Sequence, residues 1–156
     1  MIVMAMSAVS DYHIRRMCSD DLEKVTALEA ACFSMPWKYK DFEEALLNPH
    51  RVYLVAETDE KQIIGGCMLT EIAGEGEISN VAVQERFRGY KIAAALLQEL
   101  LKCGKEEYNI NAFTLEVRSR NTPAVRLYEN AGFQSVGIRP NFYDKPKDDA
   151  IIMWKR

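Results

Sequence analysis

Apolar and polar positions along this chain switch between a two-residue and a helical period, and the switches mark out its elements. Residues 12–17 alternate weakly and predict a first strand. Ser19-Asp20-Asp21 suits a helix N-terminus, where the helix dipole favours acidic side chains. Leu22, Val25, Leu28 and Cys32 then recur at helical spacing. Met35-Pro36-Trp37 breaks that helix, and residues 41–47 predict a second, short one stopped by Asn48-Pro49. Residues 52–57, 63–72 and 77–83 read as strands separated by the polar turns 58–61 and 73–76. Connections that short predict an antiparallel meander.

The period then changes. Ile92, Ala93, Leu96, Leu97, Leu100 and Leu101 form an apolar stripe at helical spacing, with Gln98, Glu99, Lys102 and Lys105 facing away. Residues 113–117 predict the next strand. Thr122 can cap a following helix, Pro123 suits its first position and Gly132 its end. Ala124, Leu127, Tyr128 and Ala131 share that helix's inward stripe. Residues 133–138 and 150–154 finish as strands. The order β-α-α-β-β-β-α-β-α-β-β predicts an α/β protein, an α+β mixed sheet with helices packed on it.

A length of 156 residues suits one domain with a full core. We expect a loose extension over residues 1–11 and the folded domain over 12–156. The apolar start has no basic run before it, and it is short of the roughly 20 residues a membrane span needs, so neither a signal peptide nor a membrane partner is expected. Twenty basic residues against 23 acidic ones leave a net charge of −3. That balance lacks a nucleic-acid footprint. The four cysteines, Cys18, Cys32, Cys67 and Cys103, show no paired spacing, and the two histidines, His13 and His50, lie far apart. No metal site is expected. Isolated cysteines in apolar segments read as small buried hydrophobes, and the pattern fits a reducing, cytoplasmic setting.

Chemistry concentrates in two places. In the strand over 113–117, alternation puts Phe113, Leu115 and Val117 on one face and Thr114, Glu116 and Arg118 on the other. Tyr128 follows Glu116 by twelve residues, so a carboxylate and a phenol near one strand end can serve as base and acid. Glu116 can equally be a structural partner of Arg118 or Arg126, and Tyr128 can be a packed ring. The second place is the junction from Val81-Ala82-Val83 through Arg88-Gly89-Tyr90-Lys91 to Ile92, Ala93 and Ala94. There a short loop feeds a helix N-terminus, whose unpaired N–H groups suit a phosphate. An ordinary strand-to-helix turn with Arg88 in solvent is the alternative.

These segments resemble the GNAT N-acetyltransferases. The family's acyl-CoA motif, Gln/Arg-x-x-Gly-x-Gly/Ala after a strand, maps onto residues 88–93, with Lys91 in place of its first glycine. The segment Asn121-x-x-Ala124-x-x-Leu127-Tyr128-x-x-x-Gly132-Phe133 follows in the family's order, and the likeness covers residues 12–156. Cys32 to Trp37, Asn80 to Val83, Leu115 to Arg118, Arg139 to Tyr143 and Asp148 to Met153 are similar to the bacterial RimI-like ribosomal-protein-alanine N-acetyltransferases. Where that subfamily often has two tyrosines, this chain has Phe142-Tyr143.

The resemblance implies the GNAT fold and acetyl-CoA as cosubstrate. It further implies a ribosomal protein N-terminus as acceptor and direct transfer in a ternary complex. Glu116 would be the general base and Tyr128 the general acid. Val81, Ala82, Val83, residues 88–94 and Asn121 would hold the cosubstrate, and Pro36, Trp37, Arg139 and Tyr143 would form the acceptor groove. The loop 141–149, with Asp144, Asp148 and Asp149 beside Lys145 and Lys147, would meet a cationic peptide end or be a solvated turn. A monomer or weak homodimer is expected. A small-molecule amine as acceptor, or acyl-CoA binding without turnover, are the alternatives.

Overall fold

The computed structural model describes residues 3–4, 11–89 and 91–156. Its elements run β1 (Val3–Met4), β2 (Tyr12–Arg16), α1 (Leu22–Cys32), α2 (Tyr39–Leu46), β3 (Arg51–Thr58), β4 (Ile63–Ile72) and β5 (Glu75–Val83). They continue with α3 (Ile92–Tyr108), β6 (Phe113–Arg118), α4 (Thr122–Asn130), β7 (Gln134–Tyr143) and β8 (Asp148–Lys155). The expected order reappears with β1 added in front. Of the expected 1–11 extension, only Val3, Met4 and Asp11 lie within the described residues, and Val3–Met4 pairs antiparallel with β2.

The strands form one sheet in the order β1-β2-β3-β4-β5-β6-β8-β7. All neighbours are antiparallel except β5 and β6. A parallel pair needs a long crossover, which α3 provides. Strand β3 is buried on both faces, and its residues divide by parity. Val52, Leu54 and Ala56 join the core under α3 and α4, and Tyr53 and Val55 join the core under α1 and α2. That two-sided burial explains its continuous apolar run. The Arg15 guanidinium ties the layers at the β2 end through hydrogen bonds to Asp21, just before α1, and Glu57 on β3.

Several boundaries differ from the sequence expectation, and three of the differences have an identifiable cause. Helix α2 starts at Tyr39 because Asp41 occupies its third position and accepts the Lys38 N–H at 2.9 Å. Helix α4 is capped by Asn121, whose Oδ1 accepts the Ala124 N–H at 3.2 Å, so Thr122 is the first helical residue rather than the cap. Strand β7 runs on through Pro140 to Tyr143. It lies at the sheet edge, where a missing N–H is tolerated.

The cysteines also divide. Cys67 is buried, Cys18 is exposed, and Cys32 and Cys103 are half-buried, so the expectation of four buried thiols holds only for Cys67. Among the described residues no group of His, Cys, Asp and Glu is placed to hold a metal ion, and no helix is long and apolar enough to cross a membrane.

Candidate active site

The site begins with a defect in β5. Gly66 of β4 pairs with Ala82, and Met68 pairs with Ser79, so Asn80 and Val81 together face the single residue Cys67. Asn80 takes φ 55, in the left-handed region, which Asn tolerates better than most residues. Such a bulge bends its strand. The parallel ladder between β5 and β6 is correspondingly brief, pairing Gly76 with Phe113 and Glu77 with Thr114. Beyond Glu77, β5 continues with β4 and β6 continues with β8. A cleft of about 2160 Å³ opens between them, more than the 300–1,000 Å³ or so of an ordinary small-molecule pocket.

One part of the cleft is basic and built on helix starts. Lys91 precedes α3 with φ 62, and Gly89 has φ 89. The first intrahelical bond runs from the Ala95 N–H to the Lys91 carbonyl. The N–H groups of the first turn have no acceptor in their own helix, and Ala93 and Ala94 leave them sterically open. Arg88, Lys91 and Arg126 line this part, and Lys102 and Lys105 line the cleft farther along α3. Arg88 is not simply solvated, since its Nε donates to the Val83 carbonyl at 3.1 Å. Val83 is buried and Val81 packs on the core, as expected of a strand whose backbone faces the cleft. Tyr90 lies outside the described residues.

Left-handed geometry gives the motif glycine a reason that the sequence does not show. A lysine there bears a steric penalty of roughly 1–2 kcal/mol. Lys91→Gly is therefore expected to stabilise the fold by about 1 kcal/mol, after the freer unfolded chain is counted, and to raise Tm by roughly 2–4 °C. Thermal unfolding checks this, and a lowered Tm would mean that the Lys91 side chain makes a favourable contact.

Glu116 and Tyr128 both line the cleft. The strand pattern holds, with Phe113, Leu115 and Val117 buried and Glu116 on the opposite, half-open face. Glu116 Oε2 is inaccessible to solvent and accepts no hydrogen bond. Its nearest cation is neither Arg118 nor Arg126 but Arg139, whose Nε lies 3.4 Å away. Arg118 instead donates to the carbonyls of Asp144 and Pro146 and stacks over the Tyr143 ring. Tyr128 is buried against Phe133, with ring centroids 6.0 Å apart, and burial pushes its phenol well above the ordinary range. The ring is both packed and cleft-lining.

Of the expected acceptor residues, Trp37 and Tyr143 line the cleft, whereas Pro36 and Arg139 do not. Arg139 reaches the site through Glu116 and through the Phe142 ring, over which its guanidinium lies at 5.7 Å. Trp37 also packs on Phe42 at 5.2 Å. The Tyr143 phenol is raised by burial first and by the charge of Glu116 second. Asp148 is no solvated loop residue. It is buried and accepts from the Ser119 hydroxyl and the N–H groups of Arg120 and Asp149. Sequence reasoning missed Phe33, Met35, Glu29 and Asn80, all of which line the cleft. For Glu29 a signal existed, because it follows Val25 by one helical turn within an apolar stripe.

Residues 22–133 match the Acetyltransferase (GNAT) family, and the chain belongs to it. It is an acetyl-CoA-dependent N-acetyltransferase. The chain is 35% identical over 142 residues, 90% of its length and 93% of the relative's, to a Bacillus subtilis protein provisionally named as a ribosomal protein bS18-alanine N-acetyltransferase. It is 30% identical over 155 residues, 92% of each chain, to an N-alpha-acetyltransferase of Sulfurisphaera tokodaii. Among solved structures, the ribosomal-protein-S18-alanine N-acetyltransferase of Escherichia coli superposes with a TM-score of 0.84 at 25% identity, over 92% of both chains.

Proposed function

We propose that this enzyme acetylates a protein N-terminal amine, the alanine that begins a small-subunit ribosomal protein, by direct transfer with both substrates bound. The observation that carries the reading is the acceptor side of the cleft. Phe33 and Met35, from the segment after α1, and Phe142 beside Tyr143, at the end of β7, line it as exposed apolar side chains. Such side chains suit a peptide end, and Glu116, lining the same cleft, would meet its amine. The names of the relatives agree with this choice.

Bound acetyl-CoA supplies an activated acetyl thioester. The basic part of the cleft would hold its phosphates, the backbone at Val81, Ala82 and Val83 its extended arm, and Asn121, at the start of α4, would lie against that arm. An α-amino group has a reference pKa of about 7.7–8.0, so much of it is protonated at neutral pH. The free amine, left once the ammonium has given one proton to solvent, attacks the thioester carbonyl, and Glu116 takes the second proton that the nitrogen loses as the C–N bond forms. Tyr128, kept neutral by burial, donates its hydroxyl proton to the sulfur as the C–S bond breaks.

The test is CoA-thiol release from acetyl-CoA with an alanine-starting bS18 peptide, beside spermidine and glucosamine. The peptide is expected to react with kcat/KM at least about 10²-fold above either small amine, a margin that loss of the peptide contacts would account for. Turnover of the small amines alone would replace the acceptor class. No release with any amine would reduce the protein to an acyl-CoA binder.

A further inference from the structure

Glu29 lies on the inward face of α1, between the apolar Val25 and Cys32, and is only 2% exposed. Its Oε1 accepts a 2.8 Å hydrogen bond from Asn80 Nδ2 and lies 3.5 Å from the Trp37 backbone N–H. Its Oε2 has no hydrogen-bond partner in the protein, and no salt bridge reaches it among the described residues. Burial pushes the carboxyl up to about 6, against the pull of the two donors. The phenol of Tyr53, on β3, is raised by burial first and by the charge of Glu29 second. A buried carboxylate with one idle oxygen destabilises a fold, and an apolar or amide side chain would fill a purely structural position at less expense.

What Glu29 joins is informative. Asn80 is the left-handed residue of the β5 bulge, where the cleft opens. Trp37 lies in the segment between α1 and α2, which also carries Phe33 and Met35, exposed side chains of the acceptor side. We propose that Glu29 is a positioning residue for the acceptor: its carboxylate fastens the 33–38 segment to the β5 bulge and so sets the wall against which the acceptor lies. The inference deepens the proposed function and rests on its placing of the acceptor.

Steady-state kinetics with the alanine-starting peptide test it. Glu29→Ala raises the peptide KM by roughly 10–100-fold, the usual loss for a hydrogen bond to a charged group. Its kcat and its KM for acetyl-CoA stay within about twofold, because Glu29 touches neither the reacting atoms nor the basic part of the cleft. Glu29→Gln keeps a carbonyl oxygen for both donors and restores most of the peptide affinity. Asn80→Gly removes only the side-chain amide, since glycine accepts the left-handed backbone, and raises the peptide KM in the same direction. It decides the matter if Glu29→Ala does not fold.

A second measurement does not depend on the acceptor. In a Trp154→Phe background Trp37 is the remaining tryptophan, and Glu29→Ala is expected to increase its quenching by acrylamide. If the wild-type enzyme ignores the peptide, the proposed acceptor fails, and the quenching still decides Glu29. Folded variants with unchanged KM and unchanged quenching overturn the proposal. So does a Glu29→Gln variant that loses kcat at constant KM, which would make Glu29 a proton acceptor instead.

Discussion

Glu116→Gln is expected to lower kcat by roughly 10²–10⁴-fold and to leave the KM for acetyl-CoA within about twofold of wild type. The amide has the carboxylate's shape and still offers an oxygen to Arg139, so β6 and the cleft wall stay in place. What it lacks is a site for the amine's proton. Glu116 suits that test because its Oε2 is shielded from solvent and free of hydrogen bonds, with Arg139 close but not in bonding geometry. Rapid-quench measurement of a single turnover isolates the chemical step. Wild-type rates in that experiment would remove Glu116 from proton transfer and leave it as the partner of Arg139.

Tyr128→Phe is expected to reduce kcat over the same range of roughly 10²–10⁴-fold, again with acetyl-CoA binding preserved. The ring is locked against Phe133, and phenylalanine keeps that packing, so stability should change little. The sign of the burial effect matters. A phenol pushed upward stays protonated across the physiological range, which is the form a donor needs. The same dry surroundings make a departing thiolate more basic, so donor and recipient shift together. A better leaving thiol separates this role from a structural one. With an acetyl thioester of a more acidic thiol, the variant should recover much of its loss and wild type should gain little. Equal losses with both thioesters would contradict proton donation.

The fold was largely legible because its signals are periodic and local. The switch from alternation in β5 to the stripe of Ile92, Leu96, Leu97 and Leu100 announces the crossover helix. The alternation of β6 by itself places Glu116 on the face opposite Leu115 and Val117. What stayed hidden has a common cause, in that it depends on partners distant in sequence. Nothing near Glu116 points to Arg139, since the two meet only because β7 and β6 both flank β8. Asp148 reads as one charge in a mixed run until Ser119 and Arg120 are brought against it. Lys91 reads as a substituted ligand contact, and only its backbone angles show the strain. Pro140 hid the length of β7, because edge position is a property of the whole sheet.

The two-against-one pairing at Asn80 and Val81 has a consequence for how this cleft can change. Its opening comes from parity in the strand rather than from the sizes of the side chains around it. Point substitutions in the walls can therefore reshape the acceptor side without closing the gap. Removing one residue from β5 would do the opposite. It would remove the bulge and let the strand run straight beside β6, with the residues on either side keeping their faces. Family members that differ widely in acceptor are accordingly expected to vary freely in side chains around the cleft while keeping the residue count across this stretch of β5.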